Sequence, residues 1–270
     1  MTKQKHLVAS GIATSYWEYG SPAHPTLVLL HGLKGSHGGL GPLIRELKDW
    51  HIIAPDLPNH GLSGDIDSPH GMTELTDWLI AFVQALGLDA PPHIAGHSFG
   101  GMLAMQALAR QPELSSKLVL IVPVTRSSRF LKFFVYPVSS LVSYLPFGLQ
   151  KAVMRLWLIR AISCRLNIVS PTDDIWDFQM NQEVMDAKYC RLSTLGVFRI
   201  AAEREDFYCL AEHITTPTLV IAAARDRFNT TLQQKRLAQA FAHGRLVIIP
   251  NVGHFLTIEN PQAVAAAMEL

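Results

Sequence analysis

The chain is short of cysteine, short of charge and free of repetition. Its three cysteines, Cys164, Cys190 and Cys209, are an odd number at irregular spacings. They form neither a disulfide framework nor paired metal ligands, so a reducing cytoplasm is the expected setting and no metal or other cofactor is expected. Charged residues make up only 17%, and 23 Lys+Arg against 22 Asp+Glu leave a net +1 with no basic run. Nucleic acid is therefore not expected as a partner. The N-terminus, Met1 to His6, starts basic but lacks the continuous apolar stretch of a signal peptide. No low-complexity segment interrupts the chain. What it has in quantity is apolar residues, 49% of 270, enough for one large domain or a core domain with an insertion.

Short apolar runs rich in β-branched residues recur at 26–30, 51–54, 93–95, 118–122, 218–222 and 245–249. Runs apolar on both faces and bounded by Gly or Pro read as central strands of a parallel sheet. Helical patterns lie between them. In 73–87, Leu75, Leu79, Phe82 and Leu86 share a face, with Thr73 as N-cap. A second helix is expected from about Ser98 to Gln111, stopped by Pro112. A third follows Asn260-Pro261, a cap and a first-turn proline. Strand and helix in alternation imply an α/β layered fold with helices flanking a mostly parallel sheet.

The alternation breaks between about Pro123 and Ile214. That stretch carries aromatic and basic residues without strand runs, and it reads as an inserted helical lid spanning 123–213. The core is then 1–122 together with 214–270. Inside the lid, 133–150 contains no charged residue, but Pro137, Pro146 and Gly148 interrupt it and both flanking halves are needed for one sheet. This argues for a wall lining a pocket rather than a membrane span. Peripheral contact of the lid with lipid stays open.

The chemistry concentrates at Gly96-His97-Ser98-Phe99-Gly100, directly after one strand and directly before a helix. A serine at such a turn needs small neighbours two before and two after, so that strand and helix can approach. The turn lifts its hydroxyl clear of the sheet at the positive end of the helix. A hydroxyl is a poor nucleophile until a base takes its proton. Of twelve histidines, His254 follows the last strand at the carboxyl edge, where ligands of open sheets bind. His97 is next to the serine, but its side chain is expected to point away from the site. The base needs an acid to fix its tautomer. Asp226 lies just past the strand at 218–222, and the position after 118–122 offers only Pro123-Val124-Thr125. Pairing of Asp226 with Arg225 or Arg227 is the competing reading. The oxyanion needs backbone donors, for which Phe99 N–H at the helix start and Leu33 N–H, in the turn His31-Gly32-Leu33-Lys34-Gly35, are the candidates.

These residues resemble the α/β-hydrolase fold family, specifically its lid-bearing single-domain serine esterases. His31-Gly32-x-x-Gly35 is similar to the family's oxyanion loop. Asp56-Leu-Pro-Asn59-His60-Gly61-Leu-Ser63 is similar to its D-x-x-G-H-G-x-S turn. Gly96 to Gly101 is similar to its nucleophile elbow, and Gly253-His254-Phe255 with Glu259-Asn-Pro261 to its terminal histidine segment. Two positions depart from the pattern. Asn59 replaces a Gly, though Asn tolerates left-handed backbone, and Ala223-Ala-Arg-Asp226 lacks the Gly and Pro usual around the acid. The resemblance implies catalytic Ser98, Asp226 and His254, with Asp56 structuring its turn. The expected activity is hydrolysis of a carboxylic ester with an apolar acyl or alcohol part. Cleavage of a C–C bond in a ring-cleavage diketone, of a thioester or of a lactone is the alternative on the same residues. A ligand-binding protein on the same scaffold is the third.

Overall fold

The computed structural model describes residues 2–66, 71–125, 133, 137, 141–142, 144–189 and 206–269. Eight strands form one sheet: β1 (Lys3–Ala9), β2 (Ile12–Tyr19), β3 (Thr26–Leu30), β4 (His51–Pro55), β5 (His93–His97), β6 (Lys117–Ile121), β7 (Thr218–Ala223) and β8 (Gly244–Ile249). Their order is β1-β2-β4-β3-β5-β6-β7-β8. β1 pairs antiparallel with β2 and β2 with β4, while every other neighbour pair is parallel. All six strands expected from the apolar runs are present. β1 and β2 were not expected, because β1 is an edge strand with mostly exposed side chains and carries no apolar run. The chain reverses between them at Ser10-Gly11, both at positive φ, the backbone that a two-residue hairpin requires.

Helices cover both faces of the sheet. On one face lie α2 (Met72–Ala85) and α3 (Phe99–Arg110), with Trp78, Phe82, Phe99 and Leu103 in a core cluster that also takes Phe207 and Leu237. On the other lies α1 (Gly41–Glu46), packed with Leu27, Leu29, Ile52 and Leu219 and with Leu256 and Val264 from near the C-terminus. The start of α2 corrects one expectation. Its N-cap is Gly71, whose N–H donates to Glu74 Oε2, and Thr73 lies inside the first turn because the Glu74 carboxylate caps from N3.

Between β6 and β7 the described residues form helices: α4 (Phe147–Arg155), α5 (Trp157–Asn167), α6 (Asp173–Tyr189) and α7 (Phe207–Glu212). Most of 126–143 and all of 190–205, with Cys190, lie outside the described residues. Among the described residues no helix is long and apolar enough to cross a membrane, and no group of three or more His, Cys, Asp or Glu could hold a metal ion. The chain ends in α8 (Thr231–Ala240), α9 (Leu256–Glu259) and α10 (Pro261–Met268), the last capped by Asn260 Oδ1 as expected.

The topology decides where loops meet. From β3 the chain runs outward to β4, then returns past β3 to β5. At that switch the carboxyl ends of β3 and β5 sit side by side with no connection crossing between them, so a crevice opens there.

Candidate active site

Ser98 occupies that crevice. Its backbone, at φ 51 and ψ −111, ends β5 and starts α3, a conformation that costs about 1–3 kcal/mol for a residue with a side chain. The local sequence accommodates it. A Cβ at Gly96 would run into the Gly100–Gly101 backbone, and one at Gly100 would sit 2.7 Å from the His31 carbonyl oxygen. Only glycine at both places lets the strand, the helix and the loop after β3 approach so closely.

The structure brings Ser98, Asp226 and His254 together. His254 Nε2 lies 2.9 Å from Ser98 Oγ and His254 Nδ1 lies 2.9 Å from Asp226 Oδ2. With the proton on Nδ1, the imidazole donates to the carboxylate and accepts from the hydroxyl. Asp226 comes from the turn after β7, where its other oxygen, Oδ1, accepts from Phe228 N–H at 2.7 Å. Its side chain is fully buried. Among the described residues Asp226 forms its ion pair with His254 and with neither Arg225 nor Arg227, and the Arg227 guanidinium donates to the Arg165 carbonyl oxygen. Phe228 also packs against the imidazole, with ring centroids 4.8 Å apart.

The loop after β3 is held by two further histidines. His31 Nδ1–H donates to Gly32 O while its Nε2 accepts from Leu57 N–H. His60 Nδ1–H donates to Pro58 O while its Nε2 accepts from Lys34 N–H. Each ring therefore needs one bare nitrogen. Burial pushes His31 down to about 3 and lowers His60 as well, which keeps both neutral. With Lys34 N–H bound to His60 and Gly35 N–H to Gly32 O, Leu33 N–H makes no hydrogen bond among the described residues, and Leu33 borders the same cavity as Ser98. Phe99 N–H begins α3 on the other side of the crevice.

Asp56 structures its turn as expected. Oδ1 accepts from His37 N–H and His37 Nδ1–H, and Oδ2 from Leu62 N–H. Burial opposes its ionisation, but the His37 hydrogen bonds and nearby histidines hold the carboxyl below its usual range. Asn59 takes φ 65, the left-handed backbone that the departure from Gly allows.

Two residues have roles that the sequence did not assign. His97 does not turn away from the site: its Nε2–H donates to the backbone carbonyl of His254 at 3.0 Å, and burial pushes its ring down to about 4. Glu259 ties the His254 turn to the helical layer. Its Oε1 accepts from Gly253 N–H at 2.7 Å, and its Oε2 from Val169 and Ser170 N–H at 2.8 and 3.0 Å. The only sequence signal for either lay in motif position, because each acts through backbone atoms of distant residues.

A cavity of about 430 Å³ opens over Ser98 and His254. Its walls are mainly apolar, with Val153, Met154, Ile159 and Leu166 from α4 and α5 and Phe255 and Ile258 beside His254. One wall differs. Gln179, Gln182, Glu183 and Asp186, at helical spacing along α6, turn a polar face to the cavity. Asp186 Oδ1 accepts from Ser36 Oγ and Gln182 Nε2, both at 2.7 Å, and burial pushes its carboxyl up to about 7.

Known proteins are similar to this chain in sequence or in fold. A relative from Acinetobacter baylyi, (E)-2-((N-methylformamido)methylene)succinate hydrolase, is 24% identical over 255 residues, 94% of this chain and 92% of its own. Lipase 1 of Psychrobacter immobilis is 33% identical over 119 residues, 42% of this chain and 36% of its own. The solved enol-lactonase of Burkholderia xenovorans superposes with a TM-score of 0.80 over 98% of both chains, at 20% identity. The sequence profile of the alpha/beta hydrolase family matches residues 27–267. The chain belongs to the alpha/beta hydrolase family, and it is a hydrolase.

Proposed function

We propose that this chain is a serine hydrolase of carboxylic esters with an apolar acyl or alcohol part. The observation that carries the reading is the His254 imidazole, 2.9 Å from both Ser98 Oγ and Asp226 Oδ2, at the floor of a mainly apolar cavity. Ser98 Oγ attacks the ester carbonyl as His254 Nε2 takes its proton, and the imidazolium is stabilised by Asp226. Leu33 and Phe99 N–H hold the oxyanion. His254 then protonates the leaving alcohol. Water, deprotonated by the same ring, cleaves the acyl-enzyme and restores Ser98. In this reading residues 123–213 are a lid over a core of 1–122 and 214–270, and the lid walls shape the substrate. The polar face of α6 favours a second reading on the same triad: a more functionalised substrate such as a lactone, a thioester or a ring-cleavage diketone.

Hydrolysis of p-nitrophenyl esters from acetate through decanoate tests the proposal, with Ser98→Ala and Asp226→Asn run beside the wild type. We expect a maximum at one chain length, loss in Ser98→Ala, and a fall of orders of magnitude in Asp226→Asn with folding intact. Folded protein inert towards every ester, yet labelled at Ser98 by a fluorophosphonate, would move the assignment to the second reading. Inert and unlabelled protein would overturn both.

A further inference from the structure

Among the described residues, exposed large apolar side chains cluster on α4 and α5. Leu149, Leu156, Trp157, Leu158 and Ile162 are each about half or more exposed. On α5, Leu158, Ile162 and Arg165 follow one another at i, i+4 and i+7, so they form one stripe. The neighbouring stripe, Ile159, Ser163 and Leu166, lines the cavity over Ser98, and Ile162 belongs to both. The apolar surface thus runs to the rim of the cavity. Scattered exposed apolar side chains are ordinary, but five within fourteen residues of two consecutive helices, Trp157 among them, mark an interaction surface.

Charge identifies what covers it. From Leu114 to Thr172 the chain has no Asp or Glu, while Lys or Arg occurs eight times. In the described part, Arg155 and Arg165 stand exposed among the apolar residues. Arg160 is turned inward, donating to the carbonyl oxygens of Arg155 and Met180. The next acids, Asp173, Asp174 and Asp177, belong to α6. The acid-free stretch of this net +1 chain thus includes α4 and α5, which carry exposed Leu149, Trp157, Leu158 and Ile162. An apolar protein partner would leave the arginines without counter-charge. A bilayer with anionic headgroups satisfies both, taking the apolar side chains at the acyl boundary and the guanidinium groups at the phosphates.

We infer that the α4–α5 surface docks this protein on anionic phospholipid membranes, with the cavity mouth at the bilayer. The inference does not depend on the chemistry of Ser98.

The test is co-sedimentation of the full chain with phosphatidylcholine vesicles with and without phosphatidylglycerol. Two double variants accompany it, Trp157→Ser with Leu158→Ser and Arg155→Glu with Arg165→Glu. We expect binding only to the phosphatidylglycerol vesicles, release at high salt, and partitioning weakened by about tenfold or more in each variant. Thermal unfolding at the wild-type temperature shows that the variants fold. Absence of binding, or equal binding to both vesicles, overturns the inference. A concentration-dependent dimer broken by Trp157→Ser with Leu158→Ser, without vesicle binding, also overturns it and makes the surface a contact between copies of the chain.

Discussion

His97 Nε2 lies 3.0 Å from the carbonyl oxygen of His254, so the residue before Ser98 holds the backbone of the residue whose ring reaches Ser98. Two loops that are 156 residues apart in sequence are fixed to each other by this bond as well as by the Ser98–His254 contact. We expect His97→Ala to lower kcat by about ten- to a hundredfold, since sub-ångström misplacement of a base has costs of that order. KM should change little, because the apolar walls of the cavity are untouched. His97→Gln, which can place an amide N–H near the same carbonyl, should recover part of the loss. Equal kcat in wild type and His97→Ala, measured on the best p-nitrophenyl ester, would show that the bond positions nothing.

The buried histidines make the fold sensitive to acid. Burial pushes His31 to about 3 and His97 to about 4. A folded pKa below the unfolded value means that the unfolded chain binds protons first. Stability is therefore full above the ordinary histidine value and falls as pH drops below it, down to the folded pKa. Between pH 6.5 and pH 5 each of these rings should remove about 2 kcal/mol. Thermal unfolding across pH 5 to 7 measures this. His31→Gln should show a shallower slope than wild type, and identical slopes would remove His31 from the account.

Much of the fold was legible because its signals are local. A central strand such as Leu27 to Leu30 is buried on both faces, so it is apolar at every position and stands out. Ser98 was legible because its strained backbone demands Gly96 and Gly100, and such demands leave a sequence pattern. β1 was not, since an edge strand with one solvated face needs no apolar run. The loop clamps by His31 and His60 were not legible either. Both rings bond to backbone groups, and any residue could supply those groups, so only the folded chain shows which atoms meet. The polar face of α6 is a comparable case. Nothing in the sequence distinguishes Gln179, Gln182, Glu183 and Asp186 from a solvated helix face, and only the fold lays them along the cavity.

Glu259 joins the turn of His254 to the segment after α5 through three backbone N–H groups. Hydrogen bonds to a charged acceptor contribute about 1.5–3 kcal/mol each, and not additively. We expect Glu259→Ala to lower stability by about 2–4 kcal/mol and to lower kcat as well, because Gly253 is adjacent to His254. Glu259→Gln keeps one acceptor oxygen and should fall between the two. Denaturant unfolding beside ester turnover checks both effects. A variant that lost stability but kept full kcat would confine Glu259 to the scaffold.

Asp186 gives the opposite pH signature to the histidines. Burial raises its carboxyl from 3.8 to about 7, against the hydrogen bonds from Ser36 and Gln182. Between those values the folded protein keeps a proton that the unfolded chain has released, so folding weakens as pH climbs from 4 to 7. The cost is complete above pH 7 and absent below 4. Asp186→Asn removes the titration while its amide oxygen can still accept from Ser36 Oγ and Gln182 Nε2. Wild type and variant should therefore unfold at similar temperatures near pH 4, and the variant should be the more stable one at pH 8. The sign separates this from a simple loss of contacts, which would destabilise Asp186→Asn at both values. A variant less stable than wild type at pH 8 would mean that the ionised carboxylate is held by partners on the cavity wall that outweigh its burial.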